Sequence, residues 1–513
     1  MRDQDPLLPI IGMFLPLLLV DMGLGARFQG CTLRAYLGTP AGRWRALKDA
    51  LIWVAGFGFW VVLVGDWSQT AQWLRWFGPD FHLQLWLVFR AEGWLTWLSA
   101  ALWGVGYLLA TQRGRTLRLE TSLGLPVLLC AALFGHLTFG GGIGAVDAEA
   151  VAAQPGVSLA LDPRTLRVEG DAPSALQSGE LLTCSTAGKA VKVTREVPYR
   201  WHPRDVIVTP DALVLSYGCS FCVETGVTPT VLRVPRDGSP ASCFRSGNLH
   251  HIDVLEERGR VWAAPWTNRD LYALHLSDLS VAYTLPSPRR GEMRFFQPIQ
   301  VVEDVNGSAL YAGTELESTL VRFDLNERRY DGQLKLAELG LVAWGGPLHF
   351  IEQHPVTRLL YFTSGPGHNL FEVDPDSMTV RRSMPLDDVV GTALLLDIET
   401  DTIYYQSGVR DALFEIDLSS WQVTRTFDGE IHARRLALDR ERQALYILGH
   451  LSGRVLAVDL KTGARRWTRE VGGRPHGLAL DGNELWVNSF AGVFRLHLPT
   501  IWGEPGGVQG ADR

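Results

Sequence analysis

Three histidines in the later part of this chain, after Asp147, stand in equivalent surroundings. His250, His432 and His476 each come within a few residues of a short stretch that alternates apolar and polar side chains. Such alternation is the pattern of a half-buried β-strand. Histidine titrates near neutral pH and is the commonest transition-metal ligand, so three converging histidines would suit binding, metal coordination or acid–base work. A polar filling for a water-filled channel needs the same residues and is the plainer alternative. Other groups join them in the loops expected on the same side: His251, Trp266, Arg294, His450 and Arg474. Trp266 offers a flat apolar surface for a ring or sugar. Arg294 and Arg474 supply positive charge for an anionic ligand. These residues, with His250 and His432, are the candidate ligand-binding set.

Cysteine adds a second set. Cys184, Cys219, Cys222 and Cys243 all fall after Asp147, in an even number. This predicts disulfides without fixing their connectivity. Cys219-Ser220-Phe221-Cys222 is a C-x-x-C, for which metal binding and redox chemistry are alternatives. It lies between strands, whereas a redox pair normally uses a helix N-terminus to stabilise its thiolate.

The elements that must position these groups repeat. Between Ile431 and Thr500 a unit of RRLALD, ALYIL and VLAVDL is followed by HGLALD, ELWVN and VFRLHL. A unit of about 42 residues with three or four short strands is the signature of a propeller blade. One such sheet cannot bury both faces, so the units must stack around an axis. Aligning third strands gives anchors at Val234, His275, Asp324, Asp374, Asp417, Asp459 and His497, hence seven blades. The last unit lacks its outer strand. Val157 to Val197 can donate one and close the ring, or form an eighth blade as the alternative.

The units resemble YVTN and NHL-like propeller repeats, most clearly in RPHGLALDGNELWV and RVLAVDLKTGARRW. The second also resembles the blade motif of quinoprotein dehydrogenases. The resemblance spans about Arg204 to Thr500 and lies in the blade pattern, which many functions share. It implies binding proteins, lactonases, lyases or dehydrogenases. The catalytic sets these families imply are not present, whether an adjacent Cys pair or a Glu, Asn and Asp metal set.

The first part of the chain differs. More than half of the 18 Trp fall at or before Trp103, and four apolar runs precede Asp147: Pro6 to Gly25, Leu51 to Gly65, Gly93 to Ala110 and Leu123 to Val146. Each approaches the ~20 residues that cross a bilayer. Arg27, Arg34, Arg43, Arg45 and Lys48 mark one intervening loop, and Arg113, Arg115 and Arg118 the other. The positive-inside rule then puts both loops in the cytoplasm and the propeller outside.

The predicted fold class is therefore multi-domain. An α-helical transmembrane region of about four helices (1–146) is followed by a linker (147–156), an all-β seven-bladed propeller (157–500) and a flexible tail (501–513). The predicted location is the cell (inner) membrane, multi-pass, with the propeller on the extracytoplasmic or periplasmic side. The predicted partners are the lipid bilayer and a membrane or extracytoplasmic protein. A net charge of −7 gives no global attraction to nucleic acid, and none is expected as a partner. The predicted function is binding or scaffolding of a protein, glycan or small ligand. The alternative is a propeller hydrolase, lyase or oxidoreductase using the His-rich face. No cofactor is predicted, a metal at the propeller axis being the alternative.

Overall fold

The structure is a computed structural model of the chain. It describes residues 148–162, the strands Arg167–Val168, Leu182–Thr186 and Lys189–Val193, and residues 201–503 except 220–229, 247–248, 266–269, 289–292, 294–295, 297, 315–317, 342–347, 365–368, 387–390, 408–410, 431–432 and 451.

Seven sheets, antiparallel but for one pair in the first, follow one another along the chain, here called blades 1 to 7. Their innermost strands are Trp201–Val208, Leu249–Leu255, Pro298–Glu303, Leu348–Gln353, Gly391–Asp397, Ala433–Asp439 and Leu478–Asp481. Each lies against the next, and the seventh lies against the first, which closes the ring.

The blade repeat has a local physical cause in its third strand. The anchors His275, Asp324, Asp374, Asp417, Asp459 and His497 each end a third strand, and Val234 stands one residue before the end of its own. Where the anchor is Asp, its carboxylate closes the next turn. Asp374 Oδ1 accepts from the Ser377 amide at 3.1 Å, and Asp459 Oδ1 from that of Thr462 at 2.6 Å. Such local bonding is what favours Asp at turns. Four residues past the anchor the backbone becomes left-handed, at Gly238, Leu279, Arg328, Met378, Trp421 and Gly463. The Asp bond thus helps hold a turn that in three of the four Asp-anchored blades has no glycine at that position.

Second strands are buried along their whole length, as in Ala309–Thr314, Thr402–Ser407 and Ala444–Gly449. Blades press on both of their faces, so both faces carry apolar or aromatic side chains, Tyr311, Tyr405 and Tyr446 among them. Outermost strands alternate between partly buried and exposed, as in Thr379–Pro385, because one face meets water.

Blade 7 has three strands of its own, Leu478–Asp481, Glu484–Asn488 and Val493–His497. Its fourth is Val157–Asp162, with Val157 opposite Leu496 and Ser158 opposite Arg495. Leu182–Thr186 runs parallel to Ser242–Phe244 and, with Lys189–Val193, widens blade 1 to six strands. The residues considered for an eighth blade are thus shared between blades 7 and 1, and the propeller has seven blades. Two short helices, α1 (Ala148–Ala152) and α2 (Leu498–Gly503), bury Val151, Leu498 and Ile501 in the core shared by blades 6 and 7.

The predicted fold class requires correction here. Among the described residues no helix is long and apolar enough to cross a membrane. α1 and α2 have 5 and 6 residues, where a span needs about 20. The four apolar runs expected as spans lie outside the described residues. The architecture shown is a seven-bladed propeller with two short helices. Among the described residues, the multi-pass region, the bilayer partner and the extracytoplasmic placement at the inner membrane have no span to rest on. Hydropathy selects the same side chains for burial in protein as in lipid, so apolar runs alone do not distinguish the two.

Candidate functional site

Innermost strands face the axis, and six of them carry a β-bulge near their start. Register shifts fall at Pro203/Asp205, Leu249/Ile252, Pro298/Gln300, His349/Glu352, Gly391/Ala393 and Ala433/Arg435. A bulge re-aims the side chain that follows it. Three of the residues that follow are charged: Asp205, Glu352 and Arg435.

Arg435, from blade 6, donates through Nη2 to Asp205 Oδ1 of blade 1 at 2.6 Å. Blade 6 does not adjoin blade 1, so this bond crosses the channel. His251 Nδ1, from blade 2, lies 2.8 Å from Asp205 Oδ2 and 2.8 Å from Arg435 Nη2. The carboxylate only accepts and the guanidinium only donates, so Nδ1 serves one or the other according to its tautomer. The Ile252 amide donates to the same oxygen at 3.1 Å. The Arg435 guanidinium also stands 5.5 Å from the centre of the Phe350 ring of blade 4. One side chain thus ties four blades together.

Two further carboxyls share this space. Burial opposes ionisation of Asp205, but the charges of His251 and Arg435 outweigh it and hold its carboxyl far below the usual range. Asp253 and Glu352 lack that compensation. Burial pushes Asp253 up to about 6, against the pull of His251. Burial pushes Glu352 up to about 7, against the pull of Arg435 and with a further push from Asp253. The axis therefore holds one firm anion and two carboxyls that exchange protons close to neutral pH. Groups poised in this way occur at functional sites and also in structural networks.

A second cluster stands where blades 6, 7 and 1 meet. His450 follows the second strand of blade 6, and His476 precedes the innermost strand of blade 7. Their ring centres are 4.6 Å apart, at 64°. His450 Nδ1 is 3.1 Å from the Pro475 carbonyl, which only accepts, so this nitrogen carries the proton. Arg204 Nη1, from blade 1, lies 3.4 Å from His476 Nε2. Asn488 Oδ1 clamps the loop by accepting from the His476 and Gly477 amides at 3.2 and 2.8 Å. Gly477 permits the close approach, since a Cβ there would sit 2.5 Å from the Val206 nitrogen of blade 1. Arg474 lies in the same loop, in a left-handed conformation.

The predicted residues thus divide. His251 belongs to the axial network. His450, Arg474 and His476 gather at the mouth. His250 lies in the innermost strand of blade 2, and its side chain is outside the described set. Trp266, Arg294, His432 and Cys222 lie outside the described residues, as does the side chain of Cys219. Cys184 and Cys243 face each other across the parallel pair of blade 1 and form a disulfide, Cα to Cα 4.6 Å. Among the described residues no group of three or more His, Cys, Asp or Glu is arranged to hold a metal ion. Sequence reasoning missed Arg204, Asp205, Asp253, Glu352 and Arg435. Their signal is a charged residue in the middle of an innermost strand, as in HHIDVL, at positions that face the channel and the strands across it.

No family model and no curated protein matches the chain. Among solved structures, the WD40 β-propeller domain of Doa1 is similar over 57% of this chain and 92% of that one, with a TM-score of 0.46 and 13% identity. The seven-bladed assignment here rests on the strand order itself.

Proposed function

We propose that this propeller is a binding module for an anionic ligand, taken at the mouth where blades 6, 7 and 1 meet. The carrying observation is the line of nitrogen-bearing side chains from three blades: Arg204 beside His476, and His476 against His450. Arg474 adds a further cation in the loop that holds His476. Positive groups gathered in a chain of net charge −7 have the character of a recognition site. The axial network beneath them supplies a rigid floor, because Arg435 bridges the channel. The blade pattern of RPHGLALDGNELWV supports a likeness to the YVTN and NHL-like repeats in this reading.

The test is titration of the full-length protein with inorganic phosphate, citrate and an oligogalacturonate, read by calorimetry and thermal shift. At least one anion is expected to bind, and His450→Ala/His476→Ala to weaken it about tenfold, the scale of a lost charged contact. Binding of none of the three, or undiminished binding by a folded double variant, would remove this site.

A further inference from the structure

The opposite face carries a different surface. In each blade the turn between first and second strands belongs to the inner ring of that face. On blades 3, 4 and 5 these turns present Val305, Val356 and Ile398, with 36%, 83% and 52% of their surface exposed. Among the described residues only two other large apolar side chains are comparably exposed, Leu339 and Val423. They lie elsewhere, beyond an outermost strand and within one. Three exposed apolar tips on consecutive blades make a strip, not scattered singles.

The charges around the strip are of one sign. The exposed charged residues of the neighbouring inner turns are Glu256 and Glu257 on blade 2, Glu399 and Asp401 on blade 5 and Glu441 on blade 6; Glu399 pairs with Arg440 at 3.2 Å and Asp401 with His354 at 3.0 Å, so the border acids are Glu256, Glu257 and Glu441. The arginines of the same turns are half-buried and engaged in ion pairs. Arg258 pairs with Glu303, Arg358 with Asp304 at 3.2 Å, and Arg440 with Asp397. Their charge is largely neutralised within the fold, and the acids at the border are what a partner meets. On the outer ring of blade 3, Glu327, Arg328 and Arg329 are all exposed, so the charge there is mixed.

We infer that this face docks a basic amphipathic segment of another protein. Its apolar side would cover Val305, Val356 and Ile398, and its Lys or Arg would meet the acids at either end. An apolar centre with a charged rim is the ordinary anatomy of such an interface. This surface is independent of the anion site on the other face.

The probe is a labelled Leu/Lys amphipathic helix of about five turns, added to the full-length protein and read by fluorescence anisotropy. Two controls have the same length: a Leu/Lys peptide scrambled to destroy its apolar stripe, and a Leu/Glu helix. The Leu/Lys helix is expected to bind, and both controls to bind about tenfold more weakly or not at all. Val356→Asp/Ile398→Asp is expected to weaken binding about tenfold although it adds negative charge. Glu256→Lys/Glu257→Lys/Glu441→Lys should weaken it independently, which guards against misfolding of either variant. Unchanged or tighter binding by the first variant would mean bulk charge attraction and would overturn the inference. So would a wild-type dimer that dissociates in that variant and ignores the peptide, since the strip would then belong to a second copy of the chain.

Discussion

Replacing Arg435 by Met tests whether the axial network holds the ring together. Met keeps an apolar stem against Phe350 and removes the guanidinium. Asp205 then keeps His251 and the Ile252 amide but loses its cross-channel partner. Removing one member of a buried pair costs about 3–5 kcal/mol, because a desolvated charge is left behind. The remaining partners of Asp205 put the expected cost at the lower end, about 3 kcal/mol, with under about 1 more from the lost ring contact. In a domain this large the drop in Tm is roughly 5 °C. The pH dependence is diagnostic. Asp205 is depressed in the folded state, so its contribution is present above the unfolded carboxylate value and is lost as pH falls through the folded value. The gap between wild type and Arg435→Met, measured by calorimetry, should be widest near pH 7 and narrow below about pH 4. Adding Asp205→Asn should recover most of the loss. A gap that is constant from neutral to acid pH, or a double variant no more stable than the single, would refute the buried-charge account.

Three further outcomes are expected. Glu352 is raised in the fold, so its protonation stabilises fully below the unfolded value, and that stabilisation is lost as pH rises through about 7. Glu352→Gln should leave Tm unchanged near pH 4 and raise it at pH 8; a fall at pH 8 would show that the ionised form is the one the fold uses. Gly477→Ala forces a Cβ to within 2.5 Å of the Val206 nitrogen, across the seam between blades 7 and 1. Overpacking at a backbone contact should cost about 1–3 kcal/mol, read by urea denaturation, and a neutral result would show that the seam gives way. Cys184→Ser/Cys243→Ser opens a link between residues 59 apart. Loop-closure entropy sets the loss near ~4 kcal/mol at most, and reductant should lower the Tm of the wild type but not of the variant.

Much of this architecture is legible in the sequence because it is local. The Asp of AVDL closes its own turn, and a repeated turn repeats the blade. That is why the anchors from His275 to Asp459 mark real strand ends. The missing strand of the last unit is a local deficit too, and Val157–Asp162 fills it because an unpaired edge exposes backbone donors and acceptors. The apolar runs before Asp147 show the limit of composition, since hydropathy alone does not say what covers a run. The axial site is different in kind. Asp205 and Arg435 are 230 residues apart and meet only because the ring closes and bulges turn both inward. His450 and His476 are visible as a pair only once two loops are known to share one mouth. The acidic border of the other face depends on which arginines are already paired. Local chemistry determined the blades; closure decided which charges face one another.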